Sequence, residues 1–128
     1  MKHWLTAAAL LVAGASGPAI AGPGDVNAHN FYVSARSLLA KGVGAMFDSR
    51  RKPMTAQFRD ASLSVKAQND AAKAKGAPIY CVSDAQRKKG MSVQFIVDQL
   101  GAIPEQQRRT MTLKDAWRNI LVRNYPCR

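Results

Sequence analysis

A chain of 128 residues has room for one domain with one modest core, not two. Its 19 Lys and Arg against 8 Asp and Glu give a formal charge of +11, which in the cytoplasm would point to nucleic acid. The cations are dispersed in small clusters at Arg50-Arg51-Lys52, Arg87-Lys88-Lys89 and Arg108-Arg109, and no aromatic residues interleave with them as a stacking platform requires, so no nucleic-acid partner is expected.

The first residues read as a secretory signal peptide, residues 1–21. Lys2 and His3 precede the apolar run Trp4–Ala13, and Ala19-Ile20-Ala21 ends it with an A-x-A cleavage site. The run is too short to span a bilayer comfortably, which disfavours an uncleaved anchor. Cleavage leaves residues 22–128 as a single domain, and the expected location is the periplasm, with no membrane span. There the available anions are phospholipid head groups, acidic envelope polymers and acidic protein surfaces. The plainer reading of the charge is a solvated surface.

Gly22-Pro23-Gly24-Asp25 reads as a flexible leader. The first helical pattern follows, with Phe31, Ala35, Leu38, Leu39, Gly42 and Met46 on one face. Asn27 or Asn30 caps its start. Gly42 and Gly44 weaken its end or admit another helix closely.

Asp48–Pro53 is a polar connection, and Pro53 suits the first turn of the next helix. That helix runs from about Met54 to Lys75, with Met54, Phe58, Ala61, Val65 and Ala72 on its apolar face. Gly76 serves as its C-cap residue and Pro78 stops it. Ile79-Tyr80-Cys81-Val82 is short and extended with no pairing partner, hence a pinned connector rather than a strand. Ser83 to Gly90 is a basic loop in which Asp84 can open one helical turn.

Ser92 caps a third helix whose apolar face is Val93, Ile96, Val97 and Leu100, closed by Gly101, with Pro104 setting the turn. Glu105 to Arg109 is a polar bridge with room for one helical turn. Thr112-Leu113-Lys114-Asp115 resembles a capping box. Leu113, Ala116, Trp117, Ile120 and Leu121 form the clearest helical stripe in the chain. The expected class is therefore all-α, a small bundle of about four helices.

Cys81 and Cys127 are the only cysteines, and both survive cleavage. In an oxidising compartment an even count of two allows one bond, Cys81–Cys127. Two free thiols or half a metal site are the alternatives, and the lack of nearby histidines makes the metal site poor. Tyr80, Trp117 and Tyr125 are expected to pack around the closure.

No constellation argues for catalysis. His29 sits at the start of the first helix without a motif around it and reads as a surface histidine. The acids are scattered, each near a basic residue or at a cap, where solvated carboxylates belong. Neither a phosphate-binding Gly-rich loop nor paired metal-binding histidines are visible, so no cofactor or metal is expected and an enzyme is the weaker hypothesis.

One longer pattern stands out. Tyr80-Cys81 leads to Met91–Val97, then Leu100 and Pro104, then Ala116–Leu121 and Tyr125-Pro126-Cys127. This resembles the Rap/Tai family of small periplasmic proteins, many of them immunity proteins of type VI secretion. The resemblance implies an all-helical periplasmic protein with a disulfide between Cys81 and Cys127. It further implies a protein that binds and blocks a peptidoglycan amidase effector, often as a homodimer. Occlusion of the effector's cleft would be the mechanism. Candidate partner-binding residues are Arg87, Lys88 and Lys89 in one loop and Glu105, Arg108 and Arg109 in the other, both inside the disulfide-closed stretch. The competing reading is a small envelope stress chaperone that exposes apolar surface at acid pH.

Overall fold

The structure, a computed structural model, describes residues 21–128. The expected signal peptide lies outside the described residues except for Ala21. Among those described, the chain is all-α, with six α-helices: α1 Ala28–Ala40, α2 Arg51–Ala74, α3 Asp84–Lys89, α4 Val93–Ala102, α5 Glu105–Arg108 and α6 Leu113–Asn124. Two 3-10 helices, Pro23–Asp25 and Gly42–Phe47, complete it. The four long helices are the ones the apolar periodicity predicts. Among the described residues no helix is long and apolar enough to cross a membrane.

The helix ends have local chemical causes. Asn27 caps α1 by accepting from the N–H groups of His29 and Asn30, at 3.0 and 3.1 Å. Ser92 and Thr112 cap α4 and α6 by accepting from Phe95 and Asp115. At the end of α2, Gly76 adopts φ +79, and the N–H groups of Gly76 and Ala77 turn back to the carbonyls of Lys73 and Ala72. This closes the last turn as a Schellman motif, which a left-handed residue makes possible.

α6 is the hub. Leu113, Ala116, Trp117, Ile120 and Leu121 are all buried, and α6 packs against α1, α2 and α4. Phe58 of α2 meets the Trp117 ring edge-on with centroids 4.9 Å apart. Leu100, Leu113, Ile120 and Val65 are the largest fully buried side chains, each contributing about 1.5–3 kcal/mol of apolar burial. The starts of α1 and α6 are stapled together: Ala28 donates to the Met111 carbonyl, Leu113 donates to that of Val26, and Asn27 and Thr112 form an isolated bridge.

Three expectations about packing need correction. Pro23–Asp25 is not a free leader but a 3-10 turn docked on α2, with Gly24 buried. Gly24 must be glycine there, because a Cβ would stand 2.6 Å from the Ala61 nitrogen. α1 ends at Ala40, so Met46 lies on the following 3-10 helix and is exposed, and nothing approaches Gly42. Val93, at the first position of α4, is 61% exposed, so the α4 stripe begins one turn later than its sequence pattern.

Cys81 and Cys127 form a disulfide across a Cα–Cα distance of 4.9 Å. The Cys81 N–H also donates to the Tyr125 carbonyl at 2.8 Å. The connector Ile79–Val82 is pinned from its other side by one side chain. Asn69 Oδ1 accepts from the N–H groups of Ile79 and Tyr80, and its amide donates to the Tyr80 carbonyl. Asn69 thus stands in for the missing neighbouring strand. Tyr80 and Trp117 are buried and Tyr125 partly buried, packed with the core.

Candidate functional site

The first candidate patch is a helix rather than a loop. Ser83 accepts from Gln86 N–H, and the Gln86 side chain accepts from Ser83 N–H, a reciprocal capping box that nucleates α3. Asp84 occupies its first turn and Arg87, Lys88 and Lys89 its last, the arrangement that suits the helix dipole. Gly90 then reverses the chain at φ +67. All three cations are exposed, and their only ion pair among the described residues is a loose one, Arg87 to Asp84 at 3.8 Å. α3 packs broadly against no other helix, so it stands out from the bundle as a short basic ridge.

The second patch separates into two roles. Glu105 and Arg109 are exposed and paired at 3.3 Å. Arg108 is not available to a partner: it is 6% exposed and is the one buried charged residue described. Its Nη1 donates to the carbonyls of Leu100, Gly101 and Ile103, at 3.2, 3.3 and 2.6 Å. These are the C-terminal acceptors of α4, which has no basic residue of its own in its last turn. Arg108 supplies that cation from the next helix. Its guanidinium also lies 4.1 Å from the centroid of the Tyr32 ring. Tyr32 in turn needs Gly101, since a Cβ there would stand 2.9 Å from the Tyr32 hydroxyl. Gly101 therefore sits inside α4 to admit a ring, not to close the helix.

His29 belongs to the same cluster rather than to open surface. Arg108 Nε donates to His29 Nδ1 at 3.4 Å, and His29 Nε2 lies 3.3 Å from Glu105 Oε1. The tautomer with its proton on Nε2 satisfies both neighbours. His29, Arg108 and Tyr32 thus lock α1, α4 and α5 together, which is a structural use of all three. No local sequence signal marks Arg108: Glu105 three positions earlier offers the ordinary helical ion pair, and nothing in the sequence says that Arg108 turns to backbone carbonyls instead.

The acids are also more engaged than solvated carboxylates. Asp60 accepts from Gly24 N–H at 2.7 Å and Asp25 from Gly22 N–H at 2.6 Å, and Lys114 Nζ reaches both acids, at 3.6 and 3.2 Å. The Gly22 amide and then Lys114 hold the Asp25 carboxyl below its ordinary range, so it is kept ionised. A general acid needs the opposite shift. The Asp48 side chain is largely covered and is held well below the usual carboxylate range by Arg50 and Lys41. Both acids fix backbone. The surface depressions, about 400 Å³ between α1 and α2 and about 730 Å³ between α1 and α4, are open. Among the described residues no three His, Cys, Asp or Glu are grouped to hold a metal.

What this arrangement offers is a clasped scaffold with an exposed basic ridge and a smaller mixed patch. Compared with protein-family models, with curated proteins and with solved structures, the chain finds no match.

Proposed function

We propose that this chain is a non-catalytic binding protein of the immunity type, which inhibits a partner by filling its cleft. The partner class is the peptidoglycan amidase effector that the likeness of Tyr80–Cys127 to the Rap/Tai family implies, and the site of action is the periplasm. One observation supports this reading above the others. α3 presents Arg87, Lys88 and Lys89, all exposed, on a helix capped two residues after the disulfide at Cys81. A ridge anchored that close to a covalent closure loses little freedom on binding, which is how a small surface gains affinity. Its charge accelerates encounter with an acidic cleft, and a few desolvated anchors then set the dissociation rate. Glu105 and Arg109 form a second contact region, with Arg108 holding α5 in place beneath them.

The test is inhibition of peptidoglycan cleavage by a type VI amidase effector, using the oxidised chain from Gly22 onward. Stoichiometric inhibition is expected. Lys88→Glu with Lys89→Glu should slow association about tenfold at low salt and less at high salt. Undiminished cleavage at saturating protein would overturn the reading. Suppression of client aggregation at low pH without any effect on the amidase would favour the envelope chaperone instead.

A further inference from the structure

We propose that the 3-10 helix Gly42–Phe47 is a docking tip for an anionic phospholipid surface, independent of any protein partner bound by α3. After α1 stops at Ala40, Gly42 turns the chain outward at φ +55. Val43, Met46 and Phe47 then stand 78%, 63% and 88% exposed. Residues of these types are usually inside, and three within five positions make a concentrated apolar projection rather than scattered surface.

The base of this tip is clasped. Asp48 accepts from Arg50 Nε and Nη2, at 3.0 and 2.9 Å, from the Arg50 backbone N–H at 2.9 Å, and from Lys41 Nζ. Arg50 also reaches Ser37 of α1 at 3.2 Å. One carboxylate thereby ties both ends of the segment to each other and to α1, so the tip is held out rather than free to fold back.

Charge selects the occupant. Four cations flank the tip along the chain, Lys41, Arg50, Arg51 and Lys52, against the single carboxylate of Asp48, which pairs with the first two. Arg51 and Lys52 are exposed and have no carboxylate within ion-pair distance among the described residues. An apolar point flanked by cations matches a surface that is apolar in its interior and carries a plane of phosphates around the point of entry. Insertion and head-group pairing then act together, as for other peripheral membrane attachments. A second copy of the chain, itself strongly positive, would be repelled by the same cations. Three apolar side chains reach into one leaflet only, so the attachment is shallow and reversible.

The test uses oxidised residues 22–128. The described core lies wholly within them, and the apolar run Trp4–Ala13 is then absent and cannot contribute. Vesicles of phosphatidylcholine alone are compared with vesicles containing phosphatidylglycerol. Co-sedimentation is expected with the second only, and should fall with added salt. Met46→Ser with Phe47→Ser should weaken it about tenfold or more. Arg51→Gln and Lys52→Gln should each weaken it about fivefold. A Phe47→Trp variant should shift its emission to the blue on phosphatidylglycerol vesicles. Circular dichroism should be unchanged in every variant, because these side chains contribute little to the core. The proposal is overturned if no binding occurs at low salt, or if the Met46→Ser, Phe47→Ser protein binds as well as the parent. It is equally overturned if that variant instead loses a protein partner or a dimer while keeping its vesicle binding.

Discussion

The Gly22 N–H donates to Asp25 Oδ2 at 2.6 Å, and Lys114 Nζ lies against both oxygens of the same carboxylate, at 3.2 and 3.3 Å. Gly22 is the first residue after the expected cleavage point, so leader removal converts this amide nitrogen into an α-ammonium facing an ionised acid. A hydrogen bond to a neutral amide would become a charge-assisted one. The chain beginning at Gly22 should therefore melt a few degrees above the same chain acetylated at Gly22. Asp25→Asn should remove the difference. Equal melting temperatures for the free and acetylated chains would refute the capture.

Acid should unfold this protein through two aspartates. Asp25 is lowered by the Gly22 amide and Lys114, and Asp48 is lowered further by Arg50 and Lys41. A carboxyl whose folded pKa lies below its unfolded value stabilises the fold at pH above the unfolded value. That contribution is lost as pH falls through the depressed folded value. Stability should thus be flat near neutrality and decline from about pH 4 downward. Asp48→Asn should flatten that decline while loosening residues 41–50, visible as faster amide exchange there. A decline of unchanged slope would place the acid sensitivity elsewhere.

Arg108 is predicted to be the most costly single charge to remove. Arg108→Ala deletes three bonds to the end of α4 and the stacking on Tyr32. The Ile103 carbonyl left without this donor, and the lost cation, should together cost about 2–4 kcal/mol by urea denaturation, while the Leu100 carbonyl keeps the Ile103 N–H. Arg108→Lys should recover part of this, since one ammonium cannot span the same acceptors over the ring. A double-mutant cycle with Tyr32→Leu should show a coupling of about 0.5–2 kcal/mol. Loss below about 0.5 kcal/mol for Arg108→Ala would show that water replaces the guanidinium freely.

How legible the fold was depends on what each residue's signal consists of. The α6 stripe is visible because Leu113, Ala116, Trp117, Ile120 and Leu121 carry apolar side chains at helical spacing, and all five are buried. Ser92, Thr112 and Gly76 are visible because capping is local chemistry. Gly24 was not, because its contribution is the absence of a side chain against α2. Arg108, His29 and Tyr32 come together from helices far apart in sequence, and a basic residue looks the same in sequence whether it faces water or backbone carbonyls. Met46 continues the apolar pattern of the first helix past the turn at Gly42, where periodicity no longer reports burial. Of the candidate partner-binding residues, Arg87, Lys88, Lys89, Glu105 and Arg109 stand at the surface, while Arg108 supports it from below.

The disulfide should govern how far the C-terminal turn can open. Cys81 and Cys127 are separated by 46 positions, and closing a loop of that size contributes about 4 kcal/mol in the chain-entropy account. For a domain this small that is about a third or more of the usual net stability. Both cysteines are exposed, so reductant reaches them without prior unfolding. On reduction the urea midpoint should fall sharply. The bond from Cys81 N–H to the Tyr125 carbonyl should then fray, because little else holds the chain beyond α6 to the connector. The buried side of α6 is anchored by Leu113, Trp117 and Ile120, so helical dichroism should survive at low temperature. Mass analysis of the protein recovered from an oxidising compartment should show the loss of two hydrogens, and full alkylation without reductant would rule the bond out. If reduction leaves the midpoint unchanged, α6 packing alone sets the stability, and the stiffness ascribed to α3 would lose its cause.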